Sequence, residues 1–407
     1  MYCTSYDSIS ENAWLKKEID TLKDDHLWVF HLYTIFFIIM TTLRQNEDKT
    51  PHIIHGIEGL KRELSEKPLI CLTGMRPTGK LHLGHYVGAL RSWIEMENIP
   101  NMRNYFLVAD YQALGDYLDD PEKIRQSVVD IVIDWLSVGL DPKKSCFIVQ
   151  SYVPEFAELA FYLNMFATYT EVMRNPTLKD EIAKIEKRET NNTLSMWFIN
   201  YPISQVADIL LLRGDIVPVW EDQVPHIELA RKIIDRVNKK TGAHFPLPRA
   251  LISETPRLVG IDGKDKMSKS LGNAIMISDS LAEIQKKVQK MYTDPHKTSI
   301  DAPGNTENHV VFMYLDIFHE DKNLIENLKV RYRAWGSDSI WDGEVKKLLV
   351  TTLDAFISPI REKRAYYETH PQLIKAIIDE GAERFWSEAQ EVLLELKSKM
   401  KILNYWG

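Results

Sequence analysis

The chain has 407 residues, 44% hydrophobic and 27% charged, with a net charge of −8 and a pI near 5.9. This globular composition leaves room for two or three domains; it excludes a largely disordered chain and a generally sticky nucleic-acid binder, but not a local basic face that meets RNA. Three widely spaced cysteines, Cys3, Cys71 and Cys146, form neither a disulfide framework nor a CxxC zinc pattern, so a reducing compartment, the cytoplasm, and no structural metal are expected.

Residues 1–67 read as an extension. Leu27–Met40 (LWVFHLYTIFFIIM) is the most apolar run, yet its 14 residues enclose His31 and fall short of the roughly 18 expected of a membrane span. It follows KKEIDTLKDD and precedes TTLRQN, flanks unlike those of a signal peptide, and the acidic residues argue against a mitochondrial presequence. No membrane association is expected. Met40 offers an internal start, and a packing or partner helix is the other reading of the run.

From Leu69 onward, strand and helix patterns alternate. LICLTGMRPTGKLHLGHYVGAL (Leu69–Leu90) reads as a buried strand stopping at Gly74, a loop carrying Arg76, Pro77, Gly79 and Lys80, and a helix start at His82, Gly84 and His85. A helix N-terminus offers unpaired N–H groups, glycine lets backbone approach a ligand, and imidazoles donate to phosphate oxygens, so the stretch has the form of a nucleotide phosphate site. A helix around Val87–Glu97 is followed by NYFLVAD (Asn104–Asp110). The next helix starts near Asp120–Pro121 and carries Ile124, Val128, Ile131, Val132, Trp135 and Leu136 on one side; KSCFIVQS then reads as another strand. The alternation predicts an α/β fold with a Rossmann-like, doubly wound parallel sheet. Leu69–Leu72, Tyr105–Val108 and Phe147–Val149 are among its strands, and ligands sit at their carboxyl ends.

The segment from Pro154 (PEFAELAFYLNMFATYTEVMRNPTLKDEIAKIEKRE) reads as a helical pair rich in aromatics and methionine, either ordinary core or a subunit interface. In YPISQVADILLLRGDIVPVWEDQVPHIELAR, Gln205 and Asp208 fall on one helix face. A carboxylate inside VADILLL is costly unless paired, so Asp208 is a structural acceptor or a ligand reader. The strand DIVPV ends at Trp220–Glu221–Asp222–Gln223, a polar cluster where this fold binds ligands. GIDGKDKMSKSLGNAI (Gly260–Ile275), with Lys264, Lys266 and Lys269, reads as a phosphate-seeking loop. Ser278–Asn404 reads as helical throughout, in amphipathic segments that include HPQLIKAIIDEG and WSEAQEVLLELKSKMKIL.

KMSKS at Lys266–Ser270, roughly 180 residues after His82-x-Gly84-His85, resembles the paired signature of class I aminoacyl-tRNA synthetases. PTGKLHLGHYVGAL, the stretch from Tyr201 quoted above, ETPRLVGIDGKDKMSKSLGNAI and MYTDP resemble tryptophanyl-tRNA synthetases of the bacterial type, from about Leu69 to the C-terminus. The resemblance implies a homodimer with a catalytic domain at 68–277, containing a helical dimerisation insertion (about 154–200) and a KMSKS loop (260–275), and a helical anticodon region at 278–407. It implies two reactions: ATP activates L-tryptophan to the adenylate, and the tryptophanyl group passes to the terminal ribose of tRNA(Trp). The amino acid's own carboxylate attacks the α-phosphate, so catalysis needs positioning and charge stabilisation rather than a protein nucleophile. Mg²⁺ arrives with the ATP phosphates, with few or no protein ligands.

By the same resemblance His82, His85, Lys266 and Lys269 are the catalytic residues. Arg76, Pro77, Thr78, Gly84, Trp220, Glu221, Asp222, Leu258, Met267, Ser268 and Ser270 join them around ATP. Asp208 accepts the indole N–H, with Gln205 and Gln112 beside it, and such a site discriminates without an editing domain. Arg331, Arg333, Lys346, Lys347, Arg361, Lys363 and Arg364 are candidates for tRNA phosphate contacts, a solvated helix face being the plainer reading of each. Two other functions fit parts of the pattern: a tyrosyl-tRNA synthetase, since a Gln-x-x-Asp pair also reads a phenol, and a synthetase-like paralogue that senses tryptophan or tRNA with little activation. Two positions depart from the family. Glycine is usual at 220 and histidine common at 112, and a tryptophan brings about 150–250 Å² of surface that must point away or crowd the nucleotide.

Overall fold

The computed structural model describes residues 52–64, 67–186, 194–253 and 257–402; the apolar run Leu27–Met40 lies outside them. Six parallel strands form one sheet: β1 (Ile53–His55), β2 (Leu69–Met75), β3 (Met102–Val108), β4 (Cys146–Val149), β5 (Ile216–Val219) and β6 (Arg249–Ile252). Their order, β1-β6-β5-β2-β3-β4, reverses its winding between β2 and β5. A parallel sheet opens its ligand crevice at such a reversal, beyond the carboxyl ends of the strands. β2 runs on past Gly74, because Gly74 and Met75 still pair with Leu107 and Val108.

One boundary moves. Ile53–His55 and the helix α1 (Gly56–Arg62) fall within the stretch read as an extension, yet β1 is the edge strand beside β6, and Ile54 and Leu60 are buried in the core. The signal was missed because a three-residue strand carries too little periodicity to register.

Alternate residues of β3 serve opposite faces of the sheet. Phe106 and Val108 join Trp93 of α2 (Arg91–Met96), with Trp93 stacked on Phe106 at 4.9 Å between ring centroids, while Tyr105 and Leu107 join the cluster of Leu72 and Ile148. After α3 (Asp110–Asp116), α4 (Pro121–Val138) begins where the sequence places it: Asp120 accepts from the Lys123 N–H at 3.2 Å, Pro121 needs no partner for a missing N–H, and Gly139 closes the helix at φ 108°. Its buried Trp135 packs edge-on to Phe147 at 5.4 Å.

The aromatic segment after Pro154 holds three helices rather than a pair: α5 (Glu155–Leu163), α6 (Tyr169–Met173) and α7 (Pro176–Glu186). Thr168 caps α6, accepting from the Glu171 N–H at 3.3 Å, and Pro176 opens α7, so the chain restarts twice. α8 (Met196–Leu211) follows and carries Gln205 and Asp208; α9 (Val224–Thr241) follows β5.

The C-terminal region comprises α10 (Leu281–Gln289), α11 (Val310–Phe318), α12 (Lys322–Arg333), α13 (Asp342–Glu368) and α14 (Pro371–Lys399). It is not helical throughout: residues 290–309 form turns, where the Asp294 carboxylate accepts from the N–H groups of His296 and Asn305 at 2.9 and 2.7 Å. The last two amphipathic segments are one helix, which continues through Gly381 because the bare glycine lies on β4; a Cβ there would stand 1.8 Å from the Phe147 carbonyl oxygen.

Three of the seven candidate phosphate contacts are structural instead. Lys346 is buried and donates to the Gln289 and Met291 carbonyls at 2.9 and 3.0 Å; Arg361 holds the Asp279 carbonyl at 2.7 Å; Arg364 is buried between Asp130 and Asp134. Arg333, Lys347 and Lys363 are exposed, and the half-buried Arg331 donates to the Asp338 carbonyl at 3.2 Å. Among the described residues no helix is long and apolar enough to cross a membrane.

Candidate active site

The two signature stretches, far apart in the chain, are joined backbone to backbone. Leu83 N–H donates to the Ile275 carbonyl at 2.9 Å, Ile277 N–H to the Leu81 carbonyl at 3.1 Å, and His82 bridges Met276. The Gly84 N–H points at the Met267 sulfur at 3.2 Å. Lys269 closes the junction: its ammonium donates to the carbonyls of Thr78, Gly79 and Lys80 at 2.8, 3.1 and 3.1 Å. Asn273 shapes the loop from behind, accepting from the Ser268 N–H at 2.8 Å and donating to Asp262 at 3.0 Å.

A cleft of about 900 Å³ opens over this junction, lined by Arg76, Thr78, His82, Gly84 and His85 from the first stretch and by Leu258 and Lys266–Ser270 from the second. Gln112 of α3, Gln205 of α8, and Trp220, Asp222 and Gln223 after β5 also line it. Lys266 is exposed at its rim, and Arg76 reaches Asp116 at 2.6 Å. Pro77 is buried and Glu221 exposed, and neither lines the cleft. Glu221–Gln223 is a 3₁₀ turn whose successive side chains point about 120° apart, so Asp222 and Gln223 can face inward while Glu221 does not.

Both histidines sit where an anion would meet them uncharged. Burial, reinforced by the nearby Lys269 ammonium, holds His82 down to about 4, and burial with the adjoining His82 keeps His85 well below the ordinary imidazole range. Their rings lie 3.7 Å apart, the His82 backbone N–H donates to His85 Nδ1 at 3.2 Å, and the buried His82 Nδ1 has no protein partner. Neutral imidazoles act here through N–H donation. Behind them the helix loosens into a π turn, Tyr86–Leu90, a feature that often accompanies a functional site.

A second pocket, about 320 Å³, continues inward from the cleft past Gln112 and Gln205 to Asp208. The Asp208 carboxylate is buried, and each oxygen accepts one amide N–H: from Gln112 at 3.0 Å and from Gln150 at 2.6 Å. Burial pushes its pKa up to about 7, the Gln150 amide opposing the rise. A carboxylate has about four lone-pair sites, so two remain for a ligand donor. Leu72, Leu107, Ile209 and Val217 supply apolar wall. The pocket therefore suits a flat, mostly apolar group with one N–H or O–H.

Trp220 stands where these spaces meet. It lines the cleft, the inner pocket and a third cavity of about 530 Å³ reaching to Gly56 and Ser253. The indole therefore projects into the space where the three cavities meet rather than away from it. The Arg257 guanidinium lies 5.1 Å from its ring centroid and pairs with Asp222 at 2.6 Å. The sequence did not single out Gln150 or Arg257 within the stretches that contain them, and Asn273, though inside Gly260–Ile275, carries none of the lysine or serine chemistry that marked that loop. Gln223, the last member of the polar cluster read after β5, lines the cleft. Among the described residues no group of three or more His, Cys, Asp or Glu side chains is placed to hold a metal ion.

Residues 64–358 match the family described as tRNA synthetases class I (W and Y). The tryptophan–tRNA ligase of Clostridium longisporum is 41% identical over 336 residues, 82% of this chain and 97% of that protein. The crystal structure of the tryptophanyl-tRNA synthetase of Campylobacter jejuni, complexed with ADP and tryptophan, superposes with a TM-score of 0.73 at 33% identity, over 82% of this chain and 100% of that one. The chain belongs to the tryptophan–tRNA ligases. It is an aminoacyl-tRNA ligase of a family that uses ATP as a substrate. The tyrosyl-tRNA synthetase of Archaeoglobus fulgidus, at 21% identity and a TM-score of 0.56, shares the fold alone.

Proposed function

We propose that the cleft takes ATP and the inner pocket takes tryptophan, with the reacting carboxylate and α-phosphate meeting between Gln112 and the first loop. The observation that carries this reading is adjacency: a buried, two-amide carboxylate opens through Gln112 and Gln205 into a cleft bounded by both signature stretches. Asp208 accepts the indole N–H. That contact distinguishes tryptophan from phenylalanine, and a group built for such a donor rejects analogues lacking it by orders of magnitude. Gln112 stands in the place commonly held by histidine and supports the carboxylate by donation, a task a neutral imidazole also performs.

His82 and His85 hold the phosphates. Lys266 and Lys269 supply positive charge as it develops on the pyrophosphate leaving group. For Lys269 this requires leaving the carbonyls that hold it in the structure described here, so loop closure accompanies catalysis. Mg²⁺ enters as part of the MgATP substrate. The adenylate then passes its tryptophanyl group to the terminal ribose of tRNA(Trp).

Residues 68–277 act as the catalytic domain and 278–407 as the anticodon region, where exposed Arg333, Lys347 and Lys363 are the remaining candidate phosphate contacts. The insertion at about 154–200 pairs two copies of the chain. Phe161, Met165, Tyr169 and Met196, 57–75% exposed, give it an apolar surface of the kind found in dimer interfaces. The enzyme works in the cytoplasm. Tryptophan-dependent exchange of pyrophosphate into ATP, followed by charging of tRNA(Trp), tests the whole reading; exchange driven by tyrosine instead, or binding of tryptophan with no exchange, would sink it.

A further inference from the structure

Arg364 of α13 and Asp134 of α4 are buried outside the cleft and line none of its walls. Asp134 is fully buried, and its two oxygens serve different elements. Oδ1 is held by the Arg364 guanidinium; Oδ2 accepts from the Leu81 N–H at 2.7 Å. The guanidinium also bonds Asp130, and its Nε–H donates to Glu368 at 3.0 Å. Leu81 directly precedes His82, and the three residues before Leu81 present the carbonyls that hold Lys269. The loop is thus gripped from two sides, its carbonyls by the KMSKS lysine and its N–H by a carboxylate anchored to the C-terminal region.

An ordinary helix–helix ion pair would end at Arg364 and its acids. This one continues into the backbone of the first signature loop. Removing Arg364 leaves a buried carboxylate without its countercharge, and removing Asp134 leaves the Leu81 N–H unpaired. Either change frees the segment Thr78–His82, on which both the imidazole positions and the Lys269 seat depend. We propose that Arg364 and Asp134 are positioning residues for ATP activation: they fix the first signature loop, and they make α13, an element of the C-terminal region, part of the phosphate site's support. The inference rests on reading that loop as the ATP phosphate site.

The test compares the full-length wild type with Asp134→Ala, Asp134→Asn, Lys269→Met and the Asp134→Ala/Lys269→Met double variant. It uses tryptophan-dependent pyrophosphate exchange and, separately, equilibrium binding of tryptophan without ATP. Absence of exchange in the wild type would mean that the underlying reading fails. If the wild type exchanges, Asp134→Ala is expected to lower kcat/KM for ATP by about 30-fold or more, with tryptophan affinity within about twofold. Asp134→Asn keeps an oxygen for Leu81 and should restore about a third or more of the lost efficiency. Because both residues act through one loop, the double variant should fall no more than about threefold below Lys269→Met alone. Losses that multiply fully, or tryptophan affinity that falls in step with exchange, would overturn the inference. Should Asp134→Ala fail to fold, Asp134→Asn carries the test: its KM for ATP must rise about threefold or more with tryptophan binding intact, and an unchanged KM overturns the inference.

Discussion

The Trp220 indole rests on the backbone of Gly88, so close that a Cβ at position 88 would stand 2.6 Å from Cζ2. This seats a planar ring on the bare glycine face of the first signature helix, and on the proposed reading an incoming purine meets the same flat surface. Trp220→Gly is expected to lower the KM for ATP about tenfold in pyrophosphate exchange by vacating that face. A higher KM would mean that the indole stacks on the base rather than competing with it. Gly88→Ala alone should reduce stability, because the added methyl must displace the indole. In the Trp220→Gly background the same change should be neutral or stabilising by up to about 1 kcal/mol, the ordinary preference of a helix for alanine.

Tryptophan binding and stability should respond to pH with opposite signs through Asp208. Burial holds this carboxyl near 7 in the native protein, against about 3.9 in the unfolded chain. Between those values the native state binds more protons, so the group's contribution to stability falls as pH rises, with the full loss reached above about 7. The two amide donors facing its oxygens match the ionised form, which is also the form that accepts the indole N–H on the proposed reading. The KM for tryptophan should therefore rise as pH drops through 7, with no matching inflection in the KM for ATP. Gln150→Leu removes a donor that favours ionisation and should move the midpoint upward by about half a unit or more. His82→Asn should leave it in place, since His82 titrates near 4. Asp208→Asn should reduce kcat/KM for tryptophan by roughly 10²–10⁴.

Gly381 offers a test of packing away from the cleft. Its Cα lies under the Phe147 carbonyl, and the Cys146 thiol donates to the Gly381 carbonyl at 3.3 Å, so α14 and β4 meet with no room for a side chain. Gly381→Ala should destabilise by about 1–3 kcal/mol despite alanine's better helix propensity. Urea midpoints of the two proteins measure the difference. A stabilised variant would show that the helix can move off the strand cheaply.

What was legible in the sequence follows from how far each relationship reaches along the chain. His82-x-Gly84-His85 and Lys266–Ser270 carry their chemistry within a few residues, and the strand–loop–helix around them is punctuated by its own glycines and proline. Asp208 stood out because a carboxylate in an apolar helix needs a partner; Gln112 was placed beside it by resemblance alone, and the second amide could not be read, since Gln150 lies 58 residues away and meets it only through the fold. Arg364 was misread for the same reason. On an amphipathic helix an arginine resembles a solvated cation until Asp130 and Asp134, more than 200 residues earlier, close around it. The short edge strand Ile53–His55 and the unbroken helix through Gly381 were hidden similarly, since tertiary contact with β6 and β4 decides both.

The seat of Lys269 predicts a measurable change before any catalysis. Three carbonyl oxygens converge on its ammonium, and burial lowers its pKa from the ordinary lysine value, so the contact holds a partly desolvated charge on neutral oxygens. Such a seat is strong enough to dock the loop and weak enough to yield to phosphate, whose charge is the better partner. Lys269→Met should therefore release the loop in the ligand-free protein, and trypsin should cut after Lys264 and Lys266 about tenfold faster than in the wild type, following the population of the open form. MgATP should protect the wild type and leave the variant sensitive. Pyrophosphate exchange by the variant should fall about 100-fold or more, with tryptophan binding unchanged. Equal cleavage rates in the two ligand-free proteins would mean that the backbone ladder from Leu81–Leu83 to Ile275–Ile277 docks the loop unaided, and that Lys269 acts only on the phosphates.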